Sequence, residues 1–100
     1  MGDQFEAFIS AIHVTTFGVT MRFEWSELKN RANFRKHGFH FAAAAEMFGG
    51  PLLVRPDTRE DYGEERRIGI GLTQGRIAFV AFSAPAQDTI RIISLKKGAL

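Results

Sequence analysis

The sequence predicts an α+β domain in which N-terminal helices pack on an antiparallel β-sheet meander. Three observations lead there. Ser26 stands where a helix N-cap belongs, and Arg35-Lys36-His37-Gly38 closes the same helix. Residues 41–48 are apolar and alanine-rich and stop at Gly49-Gly50-Pro51. Residues 66–72, 76–82 and 89–95 have the patterning of strands, with Gln74-Gly75 as a tight hairpin turn between the first two.

In chain order, Phe5, Phe8, Ile9 and Ile12 fall at i, i+3, i+4 and i+7, one face of a helix. Residues 14–19 are β-branched in character and read as extended. Residues 21–25 read as a short strand that leads into the Ser26 cap. Glu27 suits the first turn of the helix, where a negative charge meets the positive end of the dipole. Leu28 and Ala32 are its apolar positions, and Arg35, Lys36 and His37 place cations in the last turn. Residues 52–55 form a short strand, 56–63 a charged loop, and 83–88 a longer connection containing Pro85. The segment 76–82 is apolar on both faces, as a central strand should be. Residues 1–20 are expected to be an N-terminal extension to a domain spanning 21–100, and Met21 can start translation.

One hundred residues make one domain with a modest core, because a chain this short buries only about 60–65% of its unfolded surface. There is no cysteine, hence no disulfide and no thiolate nucleophile or ligand. No apolar run approaches the roughly 20 residues of a membrane span, and Asp3 and Glu6 sit where a signal peptide needs positive charge. A cytoplasmic protein without membrane contact is expected. All 13 Lys and Arg lie at or after Arg22, against nine acids from Met21 onward, so this part carries +4. That mild basicity suits an anionic partner such as RNA or an acidic protein, and equally a plain solvated surface.

An ordered set of motifs runs through this part of the chain. Met21-Arg22-Phe23-Glu24-Trp25 is followed by Lys29-Asn30, Asn33 and Lys36-His37-Gly38, then Tyr62-Gly63-Glu64-Glu65-Arg66 and Ile90-Arg91-Ile92-Ile93-Ser94. The set, from Met21 to Lys97, resembles the BrnT family of toxins from bacterial type II toxin–antitoxin pairs. The resemblance implies a RelE-like fold and a metal-independent endoribonuclease acting on messenger RNA. It also implies neutralisation by a ribbon-helix-helix antitoxin, and contact with DNA only through that antitoxin.

Cleavage of RNA without a metal needs a base for the 2′-hydroxyl, cations for the charge on the phosphorane, and an acid for the leaving 5′-oxygen. The resemblance makes Arg66, of the Gly-Glu-Glu-Arg motif, and Arg91 the phosphate-stabilising pair. Glu65 and His37 are the candidate proton-transfer groups, and an unperturbed imidazole titrates near about 6.5. Lys36, Arg67, Lys96 and Tyr62 are the candidate RNA-binding residues, the last by stacking. Alternation puts Ile68, Ile70 and Leu72 on one face and Arg67, Gly69 and Gly71 on the other. The glycine face is expected to be the open one, with room for a nucleotide. In the last strand Arg91 opposes Ile90 and Ile92. Plainer readings stand beside these: Arg67 and Arg91 as surface strand residues, His37 as a helix C-terminal cap, Glu64 as solvated charge, and Trp25 as core. His37 and His40 are separated by Gly38, which ends the helix, so no metal pair and no cofactor are expected.

The sequence departs from the family pattern in two places. Residues 82–85 read Phe-Ser-Ala-Pro where members carry a Tyr-Thr-Glu-Arg-like stretch. Residues 94–98 read Ser-Leu-Lys-Lys-Gly where Ser-Ala-Arg-Lys-Ala is usual, and the sequence ends at Leu100 without a basic helical tail. Weak cleavage follows as an expectation. The alternative is a non-catalytic module that binds the antitoxin, and a metal hydrolase is the third class.

Overall fold

The computed structural model describes residues 10–98. Strands β1 (Ser10–Thr16) and β2 (Val19–Trp25) come first, then helix α1 (Glu27–His37), a 3-10 turn (Phe41–Ala43) and helix α2 (Ala44–Phe48). Strands β3 (Leu53–Pro56), β4 (Arg67–Thr73), β5 (Arg76–Ala86) and β6 (Thr89–Lys97) follow. All six strands form one sheet in the order β1-β2-β6-β5-β4-β3. The α+β class holds, with two corrections to the expected layout. Strands precede the helices, and the sheet is mixed, because β2 lies parallel to β6 while every other pair is antiparallel. The physical reason is the bare edge of β6, which the first hairpin covers.

That hairpin also corrects the reading of the N-terminal segment. Ile12 lies on β1, half-buried against the core, and not on a helix face. Phe5, Phe8 and Ile9 lie outside the described residues. Residues 14–19 are not continuously extended, since Phe17 (φ 52°) and Gly18 (φ 80°) make a two-residue turn with both φ angles positive. Gln74 (φ 54°) and Gly75 (φ 74°) make the same kind of turn between β4 and β5. The 83–88 connection is mostly strand. β5 runs to Ala86, with register shifts that accommodate Pro85, which has no N–H to give the ladder.

Helix α1 begins and ends where expected. The Ser26 hydroxyl accepts from Lys29 N at 3.2 Å, and Gly38 takes the left-handed conformation (φ 77°) while its N–H reaches Phe34 O. Its inward face is not the expected one. Leu28 is 70% exposed, and the buried residues are Asn30 and Asn33. β2 pairs with β6 only as far as Glu24 and Arg91, and beyond that point α1 takes over the β6 edge. An edge strand offers polar backbone groups, which an asparagine can satisfy and a leucine cannot. Asn33 Nδ2 donates to Leu95 O (2.8 Å) and Phe39 O (3.0 Å), while its Oδ1 accepts from Leu95 N (3.1 Å). Asn30 Oδ1 accepts from Phe41 N at 2.7 Å. Both asparagines of the family-like motif therefore act as hinge pins between helix, sheet and the 3-10 turn.

The core lies on one face of the sheet. Phe23, Trp25, Ala78, Val80, Phe82, Ile90, Ile92 and Leu95 meet Phe39, Phe41, Ala44 and Met47 there. A register shift in β6 explains why Ile92 and Leu95, three apart, both point inward. Phe48 bridges Phe23 and Phe82 with ring centroids 5.5 Å and 4.9 Å away.

The glycines of β4 belong to this covered face, which reverses the expectation that they open a path for RNA. A Cβ on Gly69 would stand 3.0 Å from Leu52 Cδ1 and 3.2 Å from Val80 Cγ1. A Cβ on Gly71 would stand 3.0 Å from Leu52 Cδ1 and 3.2 Å from Pro51 O. These glycines make room for the link between α2 and β3. The isoleucines of β4 therefore face the other way.

Candidate functional site

The uncovered face of the sheet carries a cleft of about 390 Å³. Its floor is built from two cross-strand rows. One row is Ile68, Ala81 and Ser94, and the other is Ile70, Phe79 and Lys96. Arg55 on β3 extends the first row, since it pairs with Ile68. Lys36 and His37, from the last turn of α1, form one wall, and Arg59, from the loop after β3, stands opposite in the lining. Five of the ten lining residues are basic and none is acidic. An apolar bed with a cationic rim results. Such a site can seat a base and hold a phosphate.

The rim residues act on His37. Partial burial, then the charges of Lys36 and Lys96, lower its pKa from the ordinary imidazole value. These effects favour the neutral form of His37, the form that can accept a proton. Arg59 is held differently. Its Nε and Nη2 donate to the two oxygens of Asp57, each at 2.8 Å. The Asp57 side chain is 1% exposed and that of Arg59 64%. These hydrogen bonds push the Asp57 carboxyl down to about 2.

Of the residues singled out from the sequence, the structure brings Lys36, His37 and Lys96 together in this cleft. The others lie elsewhere. Arg66 sits 4.1 Å above the Tyr62 ring, with its Nε 3.2 Å from Glu64 Oε2. Both border a second hollow that Asp57, Glu60, Asp61, Glu64 and Glu65 make acidic. Arg67 reaches Glu65 Oε1 at 3.6 Å, beside Ser83, Ala84 and Pro85. Arg91 bonds Glu24 Oε2 through Nε (2.8 Å) and Nη2 (2.7 Å), toward the β2 side of the sheet. His37 and His40 do not converge. The imidazole of His40 stacks on Phe34 with centroids 4.0 Å apart. Among the described residues no three His, Asp or Glu side chains gather as metal ligands.

Sequence reasoning missed Arg55, Arg59 and Phe79. The signal for Arg59 was its spacing from Asp57, an aspartate that can cap the turn it starts. Arg55 and Phe79 follow once the isoleucine face of β4 is known to be open.

The comparisons with known proteins agree with this architecture. The family model described as the ribonuclease toxin BrnT of type II toxin–antitoxin systems matches residues 25–99. The chain is similar to the ribonuclease toxin BrnT of Brucella abortus, known from a crystal structure at 1.1 Å resolution, with a TM-score of 0.62 and 28% identity. That alignment covers 76% of this chain and 94% of the Brucella chain. No curated protein matches. With three quarters of its length inside the family model, this chain belongs to the BrnT family of ribonuclease toxins of type II toxin–antitoxin systems.

Proposed function

We propose that this chain is a metal-independent endoribonuclease of RelE type that cleaves messenger RNA in the cationic cleft. The observation that carries the reading is a half-buried imidazole, that of His37, set among four Lys and Arg residues over an apolar floor. His37 takes the proton of a 2′-hydroxyl, and the 2′-oxygen attacks the adjacent phosphorus. Lys36, Lys96 and the arginines of the rim meet the charge that grows on the phosphoryl oxygens. The bond to the 5′-oxygen breaks, that oxygen takes a proton from an ammonium group of the rim, and a 2′,3′-cyclic phosphate and a 5′-hydroxyl remain. Phe79, Ile68 and Ile70 give the unpaired base an apolar seat, which favours single-stranded RNA.

The remaining residues flank this centre. Tyr62 and Arg66 border Asp57 and offer a ring and a guanidinium to neighbouring nucleotides, with Glu65 and Arg67 beyond them. Arg91, bound to Glu24, is assigned to the sheet and not to the chemistry. The partner is an antitoxin of ribbon-helix-helix type, which supplies any contact with DNA, and the site of action is the cytoplasm. Among the described residues no helix is long and apolar enough to cross a membrane.

The test is incubation of the purified chain with a long single-stranded RNA in EDTA. Cleavage with cyclic-phosphate ends is expected. Silence in EDTA that persists when metal is added leaves an antitoxin-binding module, and cleavage restored only by metal contradicts the mechanism.

A further inference from the structure

Arg59 differs from every other cation of the cleft. Among the described residues, it alone of the lining bases forms an ion pair. The pair is side-on: Nε–H and one Nη2–H go to Asp57, and the Nη1 edge is turned away from it. Asp57 is itself anchored. Its N–H donates to Arg66 O at 2.8 Å, at the point where the loop between β3 and β4 closes. The Asp57 oxygen also accepts from Arg59 N at 3.3 Å. A buried carboxylate at the root of a loop thus holds a largely exposed guanidinium at the mouth of the cleft.

We propose that Arg59, locked side-on by Asp57, is the residue that fixes the RNA phosphate in the cleft, with Asp57 as its positioning residue. The inference rests on the reading of the cleft as the RNA site. A free arginine gives up rotamer entropy when it orders on a ligand, and here the ordering precedes binding. The guanidinium keeps paired N–H donors in one plane, which matches two oxygens of a phosphate. Lys36 in the wall and Lys96 in the floor supply charge without that geometry.

A loop staple would show the same ion pair, so the test must separate orientation from charge and from folding. The full chain and its Arg59→Ala, Arg59→Lys, Asp57→Asn and Lys96→Ala variants are titrated with a fluorescent single-stranded oligonucleotide. A 2′-deoxy substitution blocks its cleavage. Titrations run over a range of salt, alongside thermal melts. Arg59→Ala is expected to weaken binding roughly tenfold and to lower the salt slope by about 0.7, the value for one phosphate contact on a single strand. Arg59→Lys keeps the slope and loses most of the same affinity, because an ammonium cannot be gripped side-on. Asp57→Asn is the sharpest arm. It makes the cleft more positive, so charge alone requires tighter binding, whereas a lost lock requires weaker binding with an undiminished slope. The inference is overturned if Arg59→Lys binds like the parent, or if Asp57→Asn binds as tightly or more tightly. If Asp57→Asn does not fold, Arg59→Lys decides, since it changes an exposed side chain. Loss in Lys96→Ala with none in the Arg59 variants rejects this inference and leaves the cleft reading standing. Loss in neither rejects both.

Discussion

Replacing Asn33 with alanine is expected to destabilise the domain by about 3 kcal/mol or more, a large part of the 5–15 kcal/mol that holds a small domain together. One side chain satisfies the N–H and C=O of Leu95 and the C=O of Phe39, and all three groups lose their partner at once. Leu95 and Phe39 are wholly buried, so water does not reach the vacated groups without opening the core. Each buried group left unpaired costs about 1–3 kcal/mol. Asn33→Asp should be no better than alanine. A carboxylate can accept from Leu95 N but cannot donate to two carbonyl oxygens, and it sets like charge against them. Urea unfolding measures the effect. A loss under about 1 kcal/mol for Asn33→Ala would mean that the helix does not depend on this bridge to hold β6.

Replacing His37 with alanine is expected to lower the rate of RNA cleavage by about 10²–10⁴-fold, the usual contribution of a positioned proton-transfer group. The pH profile gives the stricter reading. A general base works in its neutral form, so kcat/KM rises with pH through the pKa of His37 in the free protein. Burial, Lys36 and Lys96 all lower that value, which places the acidic limb below the ordinary imidazole value of about 6.5. Bound phosphate brings negative charge to the imidazole and favours its cation, so the limb of kcat should stand at higher pH than that of kcat/KM. Lys96→Ala removes a like charge and should move the kcat/KM limb upward. Cleavage that survives in His37→Ala with the acidic limb unmoved would take His37 out of the chemistry. Melting temperatures recorded on the same samples separate this from a loss of fold.

The local signals of the sequence were legible because they depend on few residues. Ser26 and Gly38 bound α1 through their own side-chain oxygen and their own φ angle, and Gln74-Gly75 turns the chain in the same local way. Lys36 and Lys96 could be named in advance as RNA-binding cations and His37 as a proton-transfer group, and the three do share one cleft. Alternation along β4 was equally legible as a pattern. What it could not convey was which face the helices would cover. Apolar Ile68 and Ile70 suggested the buried side, yet the close approach of Leu52 and Met47 needs the glycines, which pushes the isoleucines to the open face. The same long-range effect hid the inward face of α1. Asn30 and Asn33 look like solvent residues until β6 and the 3-10 turn arrive with backbone groups to satisfy. The parallel pairing of β2 with β6 joins segments far apart in the chain, and no local pattern reports it. Arg55 and Arg59 reach the cleft only because β3 pairs with β4 at Ile68.

The central claim is that RNA occupies the open sheet face between α1 and the β3–β4 loop. An NMR titration of the full chain with a 2′-deoxy-substituted single-stranded oligonucleotide tests it most directly, reading backbone amides and isoleucine methyls together. Saturable, salt-sensitive shifts are expected at the methyls of Ile68 and Ile70 and at the amides of His37, Ser94 and Lys96, while Ile90 and Ile92 on the covered face stay in place. Shifts confined to residues 64–67 and 83–85, with Ile68, Ile70 and His37 unmoved, would contradict the account and move the RNA site to the neighbouring hollow.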